Sequence, residues 1–241
     1  MDQSSEIFLP IPLSLRLTRT HECAYLPGKT EQRLAADISQ HPDYHDRLAR
    51  AGYRRVENWV YKPACKSCQA CLPIRIDAGR HQLSRNLQRI WRSNQDLQRI
   101  GTSKLVSNEH YDLFINYLKN RHKDGQMAAM GFDEFQNMVH NSPLETVLVE
   151  YRTVEGELIG CMLTDVQSDG LSAVYSFFSP YEERRSLGSF MILDLMELCR
   201  EMDLNWLYLG YYVKESPKMQ YKARFSPAEI FKDGIWQPLR Q

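Results

Sequence analysis

SPYEERRSLGSFMILDLMELCREMDLNWLYLGYYVKESPKMQYKAR, residues 179–224, passes from a basic turn with a glycine into a helical pattern, then a strand with an internal glycine and a loop of Pro, Lys and Tyr. Ile192, Leu195, Met196, Cys199 and Met202 recur at helical spacing, so one stripe is apolar; Asp194, Glu197, Arg200 and Glu201 are expected to face away from it. Such a helix packs on a flat surface. Trp206–Val213 follows the polar break 203–205, and its aromatic and β-branched content predicts a strand.

Upstream lie three more apolar runs, 146–151, 158–166 and 171–178, joined by the short polar turns 153–156 and 167–170. Connections this brief favour antiparallel neighbours. A meander, a glycine turn, a helix and a further strand together resemble the α+β core of GNAT acyltransferases. In that fold, backbone N–H groups of the turn before the helix hold the pyrophosphate of coenzyme A. Arg185, Gly188 and Ser189 occupy the matching positions here, but Phe190 stands at the final small position. An acetyl-CoA-dependent acetyltransferase is thus an alternative that shares the core, and Phe190 argues against it.

Basic and acidic residues balance at 30 each in 241, so nucleic acid must be met by a local patch rather than a global field. No run is long enough to span a bilayer, and the N-terminus lacks a basic start followed by an apolar core; a cytoplasmic protein is expected. Six cysteines, three of them bunched, fit reduced thiols or metal ligands better than a disulfide scaffold.

The chain divides on this reading into an N-terminal region, 1–102, and a GNAT-like domain, 103–241. Pro10 and Pro12 keep the start extended. His21 and Cys23 flank a Pro-Gly turn in THECAYLPGK, Pro42 opens a short helix ended by Gly52, and 53–61 reads as one strand. In YKPACKSCQACLPIRI, Cys65, Cys68 and Cys71 are each separated by two residues, close enough to converge on zinc or an iron–sulfur cluster, with Cys23 the first candidate and His21 the next for a fourth ligand; reduced thiols without metal fit the spacing equally. Arg75 leaves that loop in an apolar strand, where its charge requires a partner: an anionic guest or an internal acid. Arg80, Arg85, Arg89, Arg92 and Arg99 surround Trp91 on a predicted helix, as a basic patch or simply its solvated face. A second helix over 107–122 ends at His122, a proton carrier or a helix cap. Another begins at Asp133. Gly210 inside the last strand marks a bulge or a close approach by a ligand or backbone. Tyr211, Tyr212, Lys218, Met219, Tyr221, Lys222 and Arg224 interleave rings and cations, which suits a single-stranded RNA end or a solvated loop.

HECAYLPGK, YKPACKSCQACLPIR, SRNLQRIWR, RHKDGQM, DGLSAVY, RSLGSF, YLGYYV and KMQYKARFSP, in that order, resemble the bacterial aspartate/glutamate leucyltransferases of the arginyl-tRNA-protein transferase family. The resemblance implies transfer of leucine from leucyl-tRNA to proteins beginning with Asp or Glu, marking them for N-degron degradation. Eukaryotic members place a cysteine where Leu26 stands and lack a counterpart of Cys65, so their metal binding does not carry over directly. An aminoacyl ester is already activated, so positioning and oxyanion stabilisation suffice and no cofactor is needed for the chemistry. Arg185, Gly188, Ser189, Lys218 and Lys222 are then expected to hold the tRNA end, with the aminoacyl group beside Gly210 and a tyrosine, Tyr211 or Tyr221, or the ribose hydroxyl of the substrate itself relaying a proton. Arg75, Arg85, Arg89 and His122 are the candidates for the acidic acceptor. A non-catalytic tRNA-binding module with a zinc loop is the remaining alternative.

Overall fold

The computed structural model describes residues 11–102, 105–121 and 126–240. Six short strands open the chain: β1 (Arg16–Leu17), β2 (His21–Glu22), β3 (Thr30–Glu31), β4 (Arg33–Asp37), β5 (Arg54–Val56) and β6 (Trp59–Pro63). β2 and β3 form a ribbon around the Pro-Gly turn, and the others form a sheet in the order β1-β4-β6-β5. Between β4 and β5, α1 (His45–Arg50) buries Leu48 under this sheet and ends at Gly52, where φ is +84°. Residues 53–61, expected as one strand, make a hairpin instead: Glu57 takes the left-handed region at φ 51° and turns the chain before Asn58.

The large sheet has eight strands. These are β7 (Leu72–Asp77), β8 (Gln98–Thr102), β9 (Thr146–Arg152), β10 (Leu158–Gln167), β11 (Gly170–Phe178), β12 (Trp206–Tyr212), β13 (Ala228–Lys232) and β14 (Ile235–Pro238), in the order β14-β13-β7-β12-β11-β10-β9-β8. β9, β10 and β11 form the antiparallel meander, and β11 and β12 are parallel. Both sequence regions divided at residue 102 supply strands, because β7 sits between β12 and β13.

Four helices cover the two faces, and side-chain alternation along the strands decides which residues meet which helix. Val149, Tyr151 and Met162 share a core with α2 (Arg85–Arg92) and α5 (Leu187–Glu201). Leu148, Cys161, Leu163 and Phe177 instead meet α3 (Asn108–Arg121) and α4 (Phe132–His140). Each fully buried large side chain contributes about 1.5–3 kcal/mol to holding these layers together. The α5 stripe differs from the sequence expectation at two positions. Asp194 turns inward, accepting a hydrogen bond from Tyr151 Oη at 2.9 Å and facing Arg99 at 3.4 Å, while Met202 caps the helix in solvent. Burial raises the Asp194 carboxyl above its ordinary range, and Arg99 opposes that effect. Phe190 is 3% exposed and packs between Trp91 and Tyr151, which is why a large side chain is tolerated at a position the acetyltransferase pattern keeps small. Among the described residues no helix is long and apolar enough to cross a membrane.

Candidate active site

β11 and β12 keep parallel register only over Gly170↔Trp206, Leu171↔Leu207 and Ser172↔Tyr208. Beyond these pairs the strands part, and the opening between them is a cavity of about 760 Å³. Met162, Ala173, Ile192 and Leu209 give it an apolar floor. Ser186, Leu187, Gly188 and Ser189, where α5 begins, form one wall, and Ser186 holds the left-handed conformation (φ 53°) that swings the chain into the helix. Tyr117 and Arg121 from α3, Tyr25 from the β2–β3 ribbon, Glu182 and Glu183 from the turn before α5, and Lys218, Met219, Tyr221 and Lys222 from the loop after β12 also line it.

Strands that part leave backbone groups without ladder partners, and buried ones must find others. Two cations meet this need. Arg54 reaches over from β5 and donates from Nη2 to the Val174 carbonyl on the β11 side. Lys222 Nζ donates to the carbonyls of Leu209 (2.8 Å) and Tyr211 (2.6 Å) on the β12 side, where the β12–β7 register slips between Tyr208 and Tyr211. Gly210 lies within that slip at φ +73°, and a Cβ there would run into Arg54 Nη1, with Cζ only 2.8 Å away. The approach inferred from the sequence at Gly210 is therefore made by an arginine side chain of the N-terminal region. Arg54 is positioned by its neighbour: alternation along β5 points Arg55 the opposite way, onto Asp165 at 2.6 and 2.7 Å, and Thr146 Oγ1 donates to the same carboxylate at 2.8 Å. This buried, bidentate pair clamps β5 to the large sheet.

The residues singled out from sequence divide sharply. Gly188, Ser189, Lys218, Tyr221 and Lys222 line the cavity. Lys222, expected as an exposed phosphate ligand, is only 4% exposed because its nitrogen serves the β12 carbonyls. Tyr211 is no relay at the cavity: its hydroxyl lies 2.9 Å from the Tyr61 carbonyl and 3.1 Å from that of Gly52, joining β12 to the small sheet, and burial pushes its pKa far above the ordinary tyrosine value. Arg185 grips Asp96 through two 2.8 Å contacts and Glu182 at 2.9 Å, so it fastens the turn to the end of α2 instead of facing a ligand. Arg75 found an internal acid: Glu229 accepts from it at 2.7 and 3.0 Å, while Trp206 and Trp236 sandwich its guanidinium at 3.6 and 4.3 Å. Arg85 and Arg89 stand on the solvent face of α2, outside the cavity lining. His122 lies outside the described residues. Sequence reasoning missed Arg54 and Arg121. The signal for Arg54 was the adjacent pair Arg54-Arg55 in a strand, which alternation sends to opposite faces.

Cys23, Cys65, Cys68 and Cys71 do gather, around a small pocket of about 30 Å³ next to the cavity. Burial and the three neighbouring thiols push Cys71 up to about 12, and Cys65 Sγ donates to the Gln32 carbonyl at 3.7 Å. Among the described residues no three His, Cys, Asp or Glu side chains are set to ligate one ion. No step of the proposed reaction passes through a metal or cluster.

Comparison with known proteins agrees with this arrangement. The N-terminal model of arginine-tRNA-protein transferase matches residues 21–89, and its C-terminal model residues 109–232. The aspartate/glutamate leucyltransferase of Granulibacter bethesdensis is 43% identical across 93% of this chain and 85% of its own length. That of Paracoccus denitrificans is 41% identical across 96% and 87%. Among solved structures, the C-terminal domain of a protein assigned as a lysylphosphatidylglycerol synthetase from Agrobacterium fabrum matches with a TM-score of 0.50 at 15% identity, covering 82% of this chain and 63% of that one, a likeness of fold alone. With the parted β11–β12 pair and the helix between them, these matches show that the chain belongs to the arginine-tRNA-protein transferase family and is an aminoacyltransferase with a GNAT-like core.

Proposed function

We propose that this protein transfers leucine from leucyl-tRNA to the α-amino group of proteins beginning with Asp or Glu, and that the reaction takes place in the β11–β12 cavity. The observation that carries the reading is the composition of that cavity: an apolar floor of Met162, Ala173, Ile192 and Leu209 below a rim bearing Arg54, Arg121 and Lys218. The floor suits a leucyl side chain, whose burial is worth about 1.5–3 kcal/mol. The rim cations suit the acceptor carboxylate, and Arg54 and Arg121 replace Arg75 as its readers. A guanidinium can hold a carboxylate through two parallel hydrogen bonds.

The tRNA end is assigned to the opening of α5, whose first backbone N–H groups lack helical acceptors and favour phosphate, together with Lys218 and the part-exposed ring of Tyr221. Arg85, Arg89 and Arg92 extend this surface along α2. Its C-terminal end is tied to the α5 opening by Asn94 Nδ2, which donates to the Arg185 carbonyl at 2.9 Å.

The test is a transfer assay crossing leucyl- and arginyl-tRNA with peptides beginning with Asp, Glu, Lys and Ala. Leucine on Asp and Glu is the expected product. Arg54→Met and Arg121→Met should each raise KM for acidic acceptors by about 10–100-fold, the loss of charge-assisted hydrogen bonds of about 1.5–3 kcal/mol. Equal use of Ala or Lys acceptors, or transfer of arginine in preference to leucine, overturns the reading.

A further inference from the structure

Lys222 is the one cation of its loop that turns inward. Its nitrogen is fixed against two backbone carbonyls, neither of which carries a charge to match an ammonium. The groups that face it are Arg54 from β5, Cys71 ahead of β7, and the adjoining Tyr221, whose ring centre is 6.0 Å from Nζ. None of these is a carboxylate. A neutral amine has two N–H bonds and a lone pair, so the two carbonyls use its donors fully and leave the lone pair free. An ammonium would carry a third N–H without either of these partners, in a buried site beside a guanidinium. Burial first, then the Arg54 charge, lowers Lys222 from the ordinary lysine value to about 7, and Cys71 acts in the opposite direction.

We propose that Lys222 Nζ is the proton acceptor for the α-ammonium group of the incoming protein N-terminus, an inference that rests on the aminoacyl-transfer reading above. The acceptor arrives with three protons on nitrogen. Neutral Lys222 takes one, and the freed lone pair forms a C–N bond to the ester carbonyl carbon. As the tetrahedral adduct collapses, the C–O bond to the ribose breaks and Lys222 returns its proton to the departing oxygen. The nitrogen passes its second proton to Lys222, which releases it to solvent, and the third remains on the new amide. Nothing is oxidised or reduced. Lys222 lines the cavity at the foot of the Lys218–Tyr221 rim, so one residue both closes the parted strand and serves the reacting amine. A base with a value near the working pH is the efficient choice for such a step.

The experiment measures kcat against pH at saturating leucyl-tRNA and acceptor, with an Asp peptide and its β-fluoro-aspartyl analogue, whose α-amine is more acidic. The acid limb is expected near pH 7 with both peptides, because it belongs to the enzyme. Lys222→Met and Lys222→Arg should both lower kcat at neutral pH by about 10²–10⁴-fold while leucyl-tRNA affinity stays within about twofold. An arginine keeps charge and donors but cannot take the proton, so a wild-type rate in Lys222→Arg would reduce Lys222 to a structural staple and overturn the inference. A limb that moves with the acidity of the acceptor amine would overturn it equally, and that arm needs only the wild-type protein. Absence of any wild-type transfer from leucyl-tRNA to either peptide would instead overturn the transfer reading beneath it.

Discussion

At Gly210 the left-handed backbone and the passing Arg54 guanidinium leave no room for a side chain. Gly210→Ala should cost about 1–3 kcal/mol, read as a lower denaturation midpoint, and should displace Arg54 and so weaken acidic acceptors more than leucyl-tRNA. An unchanged midpoint would contradict the packing. Lys222 carries a signature in stability as well. Its folded value of about 7 lies below the ordinary 10.5, so between those limits the unfolded chain holds a proton that the folded chain lacks. Raising the pH across that window therefore stabilises the wild type relative to Lys222→Met, and lowering it through 7 removes the advantage. Urea midpoints of both proteins at pH 6.5 and 9.5 give the comparison. Sequence marked Gly210 as a place of close approach and Lys222 as a functional cation, yet it named neither the approaching group nor the direction of the lysine. Arg54 reaches Gly210 from a distant segment, and no local pattern encodes that meeting.

Elements were more legible than residues. The meander, α5 and β12 follow from alternation and helical spacing, because both faces of those strands and the stripe of α5 are buried in ways their own sequence reports. β13 and β14 were not recognised: AEIFK and IWQP are short, and they hold their places by pairing with β7 and with each other. The site depends on one such non-local join, the Arg55–Asp165 pair between β5 and β10. Arg55→Met leaves an uncompensated buried carboxylate and should cost about 3–5 kcal/mol, whereas Arg55→Met with Asp165→Leu should recover much of the loss. Thermal unfolding of the two variants makes the comparison, and similar midpoints for both would show that the carboxylate finds another partner.

The whole molecule reads as a GNAT-like core whose cavity is finished by the N-terminal region: β7 enters the large sheet, β5 delivers Arg54, and the β2–β3 ribbon delivers Tyr25. That dependence explains why the order of elements revealed the core while the acceptor residues stayed hidden, since Arg75 and Arg54 are both N-terminal arginines on strands and only the assembled fold tells which one faces the cavity. The central claim is that the aminoacyl end of the tRNA occupies the space between β11 and β12. The most direct measurement is a methyl NMR titration with a non-hydrolysable 3′-leucylamido-adenosine, following Met162 and Met219 in the cavity lining and Met138 of α4 outside it. Saturable shifts at Met162 and Met219 with Met138 unmoved, and no comparable binding of the arginylamido analogue, are the predicted result; shifts at Met138 without the cavity methyls, or equal binding of the arginyl analogue, would contradict it.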